Sequence, residues 1–457
     1  MRKKILNQGY LNFGGKAVKV VREYRAKYAG IDQILEANPG ILDIAHIDFI
    51  RVLSTSEYGR DGYTSEQLLR SIIVMFIEAK GYRDTVILVE NSEFLRNFVK
   101  LGNKEMMDHT FLCKAYNALS EETWKAINEA LSRYAKKKEK ISPEKIRLDT
   151  TAYETNIHYP TDSSLLWDSY RTVARLMREA ADELREVSLA HRFHTKKVKK
   201  LALYITRNSD KKDKGAQRKI KSTYRKLIDR VKWAASVGEV AEQLLSLIMD
   251  VKAKAVVAEL KRYLPIVKKI TSQAERRVIN GEQVPSAEKV FSLFEDHTEL
   301  IKRGKAGKPI EFGHKVLLVE TGEKFIIHYE TMPKQRADKE LIEESLKAHR
   351  KVFRCGAAVL AGDKGFYESR EQIKELSEKV ETVSICKKGR RTAEEDKREG
   401  TEKFKAGQRF RAGIEGTISV LKRAFKLSRC LFKGFKNFAS SVGCAVFCHN
   451  LVTLAAT

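Results

Sequence analysis

The hydrophobic positions of the chain change their spacing near residue 144. Before this point, from about residue 30 to 138, apolar residues recur at helical spacing. The segment 64–83 (TSEQLLRSIIVMFIEAKGYR) opens on Thr64 with Glu66 close to its third position, as capped helices often do. The pattern predicts a helical N-terminal domain over residues 1–140. Its short helices suit either DNA binding or plain packing and dimerisation.

The first strand-like segment is EKIRLDTTAYET, residues 144–155, where a short β-type run ends on Asp149. Residues 163 to about 295 return to long amphipathic helices, with a polar break at residues 207–219 (RNSDKKDKGAQRK). We interpret residues 163–300 as a lysine-rich helical insertion. Its basic side chains suit phosphate contacts, and a solvated surface explains them equally well.

Strand patterns return at residues 314–321 (HKVLLVET) and 324–331 (KFIIHYET), and the two-residue connection between them predicts a hairpin. A helix at 338–353, an apolar run at 357–367, another helix and another strand follow. This order predicts a mixed α/β sheet that the helical insertion interrupts after the first strand.

The charge of the chain points to a polyanionic partner. Its 87 Lys and Arg against 60 Asp and Glu give a net charge of +27, while 42% hydrophobic residues suffice for a real core. Nucleic acid is the first candidate, and an ordinary soluble protein with excess lysine is the alternative. Six cysteines without a C-x-x-C pair indicate reduced thiols and a cytoplasmic setting.

One apolar segment near the C-terminus, VGCAVFCHNLVTLAA, raises two other possibilities. Its Cys444, Cys448 and His449 resemble metal ligands, but no second ligand pair accompanies them, so we expect buried thiols on a core helix. The run carries the polar His449 and Asn450 and lacks the full apolar length of a membrane span, so we expect no membrane segment. The basic start, residues 1–15, is followed by no long apolar stretch, so we expect no secretory signal.

Three carboxylates are the candidate catalytic residues. Asp149 and Asp363 each follow a strand-like run, and Glu415 lies in a predicted helix, residues 409–425 (RFRAGIEGTISVLKRAF). If the sheet brings them together, their like charges need neutralising, and a divalent cation such as Mg²⁺ suits a carboxylate ligand set. Two such ions would support phosphodiester cleavage and strand transfer.

The helix around Glu415 also carries two cations on the same stripe. Arg411, Glu415 and Lys422 are spaced i, i+4 and i+11 along a helix. Such a spacing also arises by chance in a basic chain, where it would form only a surface ion pair.

Four blocks together resemble the insertion-sequence transposases of the DDE type, which have an RNase H-like catalytic domain, and are most similar to the group labelled ISNCY. The resemblance extends over about residues 60–455. The blocks are RLDTTAYETNIHYPTDSSLLWD (147–168), EFGHKVLLVET (311–321), GDKGFY (362–367) and FRAGIEGTISVLKR (410–423).

The resemblance implies the roles of several residues. Asp149, Asp363 and Glu415 would be the metal-binding catalytic triad, holding two Mg²⁺ ions with Mn²⁺ able to substitute. Arg411 and Lys422 would match the Arg and Lys of the family signature Y-x2-R-x3-E-x6-K and contact DNA phosphate near the scissile bond. The chain has Gln408 at the signature Tyr, so a stacking role is absent or passes to Phe410.

Other candidates are less specific. His158 and Asp162 follow the first strand and would contact DNA or only form loop hydrogen bonds, and Lys364 beside Asp363 is either a phosphate contact or an exposed lysine. The resemblance further implies an RNase H-like mixed sheet over residues 141–457, interrupted by the insertion.

The expected function is a cytoplasmic, nucleoid-associated DNA transposase that works as a homodimer on double-stranded DNA and away from membranes. It would bind terminal inverted repeats and target DNA and catalyse Mg²⁺-dependent strand cleavage and strand transfer. The alternatives are an RNase H-like nuclease that cuts without joining, and a domesticated DNA-binding protein that needs no catalysis.

Overall fold

The computed structural model describes residues 18–53, 62–183, 191–302, 307 and 309–456. The predicted N-terminal domain and insertion therefore include segments, such as residues 1–17 and 184–190, that lie outside the described residues. The chain divides into two compact units. The sheet unit comprises Met1–Glu154 and His314–Thr457, and the inserted unit comprises Thr155–Gly313.

The N-terminal part of the sheet unit is helical, as predicted. Thr64 and Gln67 form a reciprocal capping box at the start of the third helix, so the capping partner is Gln67 and not Glu66. Ser120 caps the seventh helix by accepting a hydrogen bond from the Thr123 N–H. The helices are α1 (Lys19–Glu36), α2 (Pro39–Val52), α3 (Ser65–Ile77), α4 (Tyr82–Glu90), α5 (Glu93–Val99), α6 (His109–Ala118) and α7 (Glu121–Lys137).

The strands confirm the predicted mixed sheet. In the sheet unit the order is β4-β3-β1-β5-β6, with β7 beside β1. The pairs β1–β5 and β5–β6 are parallel, whereas β3 and β4 form the predicted antiparallel hairpin. The strands are β1 (Lys145–Thr155), β2 (Glu299–Lys302), β3 (Ile310–Thr321), β4 (Ile326–Thr331), β5 (Val359–Gly362), β6 (Thr382–Ile385) and β7 (Arg429–Cys430).

The inserted unit is mainly a set of long helices with its own hydrophobic core. Val173 of the first helix, Leu227 of the third and Leu260 of the fourth are fully buried in this core. Strand β2, which the sequence pattern did not reveal, pairs here with the first residues of β3. The helices are α8 (Asp162–Glu183), α9 (Thr195–Asn208), α10 (Lys214–Ser246) and α11 (Val251–Ala274), followed by the π-helical turn Glu275–Ile279 and the 3₁₀ turn Ser286–Glu288.

The last helix of the chain lies in the centre of the sheet unit. One hydrophobic core joins the N-terminal helices, the sheet and this helix, with Trp124, Leu318 and Val446 among its fully buried members. The remaining helices are α12 (Ile342–Phe353), α13 (Arg370–Lys379), α14 (Ala393–Gly400), α15 (Glu402–Ala412), α16 (Ile414–Ala424) and α17 (Phe435–Ala455), with 3₁₀ turns at Asp338–Leu341 and Lys364–Phe366.

The expectation that the C-terminal apolar run is too short for a membrane span is wrong. Helix α17 is long and apolar enough to cross a membrane by length and composition. However, 83% of its apolar stretch is buried inside the protein, as in the core helix of a soluble protein. Cys444, Cys448 and His449 are buried on this helix.

Two further predictions need correction near the candidate site. Strand β1 continues to Thr155, so Asp149 lies within the strand and not at its end. The predicted helix over 409–425 is two helices, α15 and α16, which meet at Gly413.

Candidate active site

Asp149 lies on β1, and Asp363 directly follows the neighbouring parallel strand β5. Pairing between β1 and β5 runs through Arg147 and Ala361, and each aspartate follows its paired residue by two positions. Because side chains alternate along a strand and paired strands are about 4.8 Å apart, both carboxylates point to the same face of the sheet. The sequence pattern had placed them at strand ends, and the pairing between the two strands does end there.

Backbone N–H groups hold both carboxylates. Asp149 accepts a hydrogen bond from the Thr150 N–H at 2.7 Å, and Asp363 accepts one from the Gly365 N–H at 2.8 Å. The second bond caps the short 3₁₀ turn that follows β5. These contacts fix one oxygen of each carboxylate and leave the other oxygen for further contacts.

Arg411 connects Asp149 to Glu415. Its Nη2 lies 3.0 Å from Oδ2 of Asp149, and its Nη1 lies 3.1 Å from Oε1 of Glu415. Asp149 is mostly buried, with 14% of its side chain exposed, whereas 66% of the Glu415 side chain is exposed. One guanidinium therefore neutralises two carboxylates that come from distant parts of the chain.

The three carboxylates influence one another through their charges. Burial raises the pKa of Asp149 to about 6, while Arg411 and the Thr150 N–H act in the opposite direction. The negative charges of Asp363 and Glu415 raise this pKa further. Asp149 is therefore a buried acid that lies among like charges and is only partly compensated by Arg411.

The donor set suits a hard cation, but the ligands are not assembled around one point. Within the part of the chain that the structure describes, no group of three or more His, Cys, Asp or Glu side chains is arranged to hold a metal ion. Arg411 lies between Asp149 and Glu415 instead. Three carboxylates with like charge and a partly exposed member are nevertheless the ligands that Mg²⁺ prefers. Metal binding would require Arg411 to leave at least one of them.

Arg411 also carries a donor suited to phosphate. Its Nε is buried and has no hydrogen-bond partner among the described residues. Unpaired buried donors are costly, and a phosphate oxygen would satisfy this one.

Sequence reasoning missed a fourth carboxylate, Asp338, beside the site. It accepts hydrogen bonds from the Thr150 hydroxyl at 3.2 Å and from Lys315 Nζ at 3.1 Å. A Cβ on Gly365 would lie 2.9 Å from oxygens of both Asp338 and Asp363, so glycine is required where these carboxylates approach. An acidic residue at the start of a predicted helix is too common to have signalled this role.

Two charged residues inside predicted strands were also missed. Arg147 and Glu320 lie in the apolar runs of β1 and β3 and are buried. Charged residues are rarely buried without a partner, so their occurrence in an apolar strand was an available signal. They form an ion pair at 2.9 Å behind the carboxylates.

Gln408 has a structural role at the position of the signature Tyr. Its amide donates to the Ser384 carbonyl at 2.7 Å and to the Gly362 carbonyl at 3.3 Å, directly before Asp363. The Phe410 ring lies against the Arg147 guanidinium, and the distance from the ring centre to Cζ of Arg147 is 4.8 Å. Gln408 therefore braces helix α15 against strands β5 and β6.

The other residues predicted to contact DNA are divided between the sheet unit and the inserted unit. Lys364 is exposed next to Asp363, and Lys422 is half-buried on α16. His158 belongs to the inserted unit, where its Nε2 lies 3.4 Å from Asp168 and 53% of its side chain is exposed. Asp162 binds Arg277 at 2.8 Å, which favours a local structural role. The DNA contacts of these residues stay predictions.

The C-terminal part of the chain is similar to a known protein family. Residues 289–451 match the family model described as the transposase DDE domain, and this segment includes Asp363, Arg411 and Glu415. No curated protein and no solved structure matches the chain. The ISNCY-like grouping stays a prediction. The match over residues 289–451 confirms the resemblance of the chain to DDE-type insertion-sequence transposases.

Proposed function

We propose that the protein is a DNA transposase that cleaves DNA at terminal inverted repeats and joins the ends to target DNA. The observation that carries this proposal is the arrangement of three carboxylates around Arg411 and the paired strands β1 and β5. Asp149 lies on β1 and Asp363 directly follows β5, and Arg411 connects Glu415 to Asp149. The match to a transposase DDE domain over residues 289–451 supports the same reaction class.

The sheet supports an RNase H-like catalytic domain as part of this proposal. The hairpin β3–β4 lies on one side of β1 and the parallel strands β5 and β6 lie on the other. Helices α15 and α16 then bring Glu415, through Arg411, to Asp149 of β1, beside the carboxyl end of β5. Ligand sites of α/β sheets gather at such strand ends.

Asp149, Asp363 and Glu415 would hold Mg²⁺, which when bound activates an attacking oxygen and stabilises the leaving oxygen of a phosphodiester. Arg411 presents a planar fork that grips either a carboxylate or a phosphate, so DNA competes with the carboxylates for it. The Thr150 and Gly365 N–H groups keep Asp149 and Asp363 oriented in both situations.

The basic surface supports a DNA partner. Lys196, Lys197, Lys199 and Lys200 are exposed on α9 of the inserted unit. Lysines on one helix contact phosphates without reading the DNA sequence. Each neutralised phosphate makes the negative slope of log affinity against log salt concentration steeper by about 0.9. Replacing all four by Gln should therefore weaken DNA binding and flatten its salt dependence.

Oligonucleotides that carry the repeat ends test the catalytic proposal. Asp149→Asn, Asp363→Asn and Glu415→Gln should each abolish Mg²⁺-dependent cleavage while leaving DNA binding intact. Glu378→Gln is the matched control, because Glu378 is an exposed carboxylate on α13 of the same unit. Normal cleavage by all three site variants would contradict the proposal.

The same assay separates the alternatives. With pre-cut repeat ends and Mg²⁺, a transposase forms joined products, whereas a nuclease without strand transfer produces only shortened strands. A domesticated DNA-binding protein would bind the ends and leave them intact in every variant.

We further propose that the protein acts as a homodimer in the cytoplasm, associated with the nucleoid and away from membranes. The six free cysteines fit a reducing compartment. Sedimentation of the protein with and without paired repeat ends tests the dimer, and a single protomer on both ends would contradict it.

A further inference from the structure

A buried ion pair lies behind the candidate active site. Arg147 and Glu320 contact each other through two hydrogen bonds, from Nη2 at 2.9 Å and from Nε at 3.0 Å. Only 5% of the Arg147 side chain and none of the Glu320 side chain is exposed. The pair joins β1 to β3, and its two residues lie 173 positions apart in the chain.

The same pair also holds the helical segment α15–α16, which carries Glu415 on α16. Arg147 Nη1 donates to the Phe410 carbonyl at 2.7 Å, near the end of α15. The Thr417 hydroxyl of α16 donates to Glu320 at 2.6 Å. A guanidinium at the carbonyl end of a helix also interacts favourably with the helix dipole.

Arg147, Glu320, Phe410 and Thr417 thus form one hydrogen-bonded network, and the backbone is adapted to it in two places. The pairing of β3 with β4 shifts its register between Val319 and Glu320, at the position of the buried carboxylate. At the junction of α15 and α16, a Cβ on Gly413 would lie 2.1 Å from Arg147 Nη1. Glycine therefore leaves the space that the guanidinium fills.

Three members of the network are close sequence neighbours of candidate site residues. Arg147 precedes Asp149 by two positions on the same face of β1. Phe410 directly precedes Arg411, and Thr417 follows Glu415 by two positions. The network therefore fixes the helical segment relative to the strand at the point where Glu415 approaches Asp149.

Stability alone does not account for such a pair. Burying two charges costs desolvation, and well-packed apolar residues of similar volume often replace a buried ion pair without loss of stability. What apolar residues cannot reproduce are the directed hydrogen bonds to Phe410 and Thr417. The network is therefore better suited to fixing geometry than to holding the fold together.

We propose that Arg147, Glu320 and Thr417 are positioning residues that set the placement of Glu415 against Asp149 for metal binding and cleavage. This inference rests on the proposed function. Residues that orient metal ligands from behind are typically worth about 10–100-fold in metal affinity or activity.

The first test replaces the pair by apolar residues and measures metal binding and cleavage separately. In Arg147→Met/Glu320→Met, we expect the Kd for Mn²⁺, measured by electron paramagnetic resonance, to rise about 10–100-fold. The kcat for cleavage of repeat ends should fall by a similar factor, with little change in KM for DNA. The control Arg70→Met/Glu66→Met removes a buried ion pair, joined at 2.9 Å, from a charge network of the same unit that also includes Asp32, Glu36 and Lys100, and should leave both quantities unchanged.

The second test keeps the fold and changes one hydroxyl. Thr417→Val removes the donor to Glu320 at nearly constant volume, and Thr417→Ser retains it. We expect Thr417→Val to weaken Mn²⁺ binding and kcat, and Thr417→Ser to restore both to near the wild-type values. This pair of variants decides the matter if the double variant does not fold.

The outcomes separate this inference from the proposed function. If the wild type cleaves, Glu415→Gln does not, and the double variant cleaves and binds Mn²⁺ normally, the positioning role is overturned and the transposase proposal stands. If the wild type fails to cleave at all, the proposed function fails, and the Mn²⁺ affinities still decide the positioning role.

Discussion

Gly413 offers a sharp test because helix propensity and packing predict opposite effects for its replacement by alanine. Gly413 has helical backbone angles, φ −62° and ψ −24°. At such a position alanine is favoured over glycine by about 1 kcal/mol. Propensity alone therefore predicts that Gly413→Ala stabilises the protein.

Packing reverses this sign. The new Cβ would lie 2.1 Å from Nη1 and 2.9 Å from Cζ of Arg147, so either Arg147 or the helical segment must move. If Arg147 leaves, the buried Glu320 loses its partner at a cost of about 3–5 kcal/mol. If the helix shifts instead, overpacking costs about 1–3 kcal/mol. After subtracting the propensity gain, we expect destabilisation of about 2–4 kcal/mol in the first case and about 0–2 kcal/mol in the second.

Urea unfolding of the sheet unit measures the effect. Trp167→Phe and Trp233→Phe remove the tryptophans of the inserted unit and leave the buried Trp124 as the fluorescent reporter. Gly416→Ala is the control, because a Cβ there meets nothing within 4 Å, and it should be stabilising by about 1 kcal/mol. If Gly413→Ala were as stable as Gly416→Ala, the close packing of Arg147 against the helix junction would be refuted.

Three further predictions concern other contacts. Burial lowers the pKa of His449 to about 4, so neutral His449 supports full stability above about pH 6.5, and about 3 kcal/mol is lost as the pH falls from 6.5 towards 4. His449→Phe should remove this loss, and equal urea midpoints against pH for both proteins would contradict it. In the absence of DNA, Arg411→Met should bind Mn²⁺ more tightly, as measured by electron paramagnetic resonance. The same variant should reduce the steepness of the salt dependence of DNA binding by about 1. Unchanged values would show that Arg411 affects neither metal binding nor DNA binding. Gln408→Ala removes two hydrogen bonds to backbone carbonyls and should cost about 1–3 kcal/mol in urea unfolding, whereas a loss within error would exclude the bracing role.

Local patterns predicted much of the sheet. The hairpin at 314–331, the helix at 338–353 and the alternation that follows correspond to β3, β4, α12 and the later elements. These segments were predictable because strand and helix periods differ and turn residues separate them. The Asp149 and Asp363 neighbourhood was also foreseeable, since both follow apolar runs that pair in parallel.

The contacts around these residues were not predictable in the same way. Arg147 and Glu320 are 173 positions apart, and Asp338 meets Thr150 from 188 positions away. No local period encodes such pairs. The break between α15 and α16 was also missed, because Gly413 keeps helical angles and a single glycine within a helical pattern gives only a weak signal.

The position of the inserted unit has a consequence for synthesis on the ribosome. Strand β1 leaves the ribosome well before β3 and β5, because all of Thr155–Gly313 is made in between. At 5–20 residues per second this delay lasts roughly 10–30 s. Ile146 and Leu148 of β1 belong to the same hydrophobic core as α1–α7, which have already been made at that time. The N-terminal helices can therefore shelter the first strand from aggregation until its neighbours arrive.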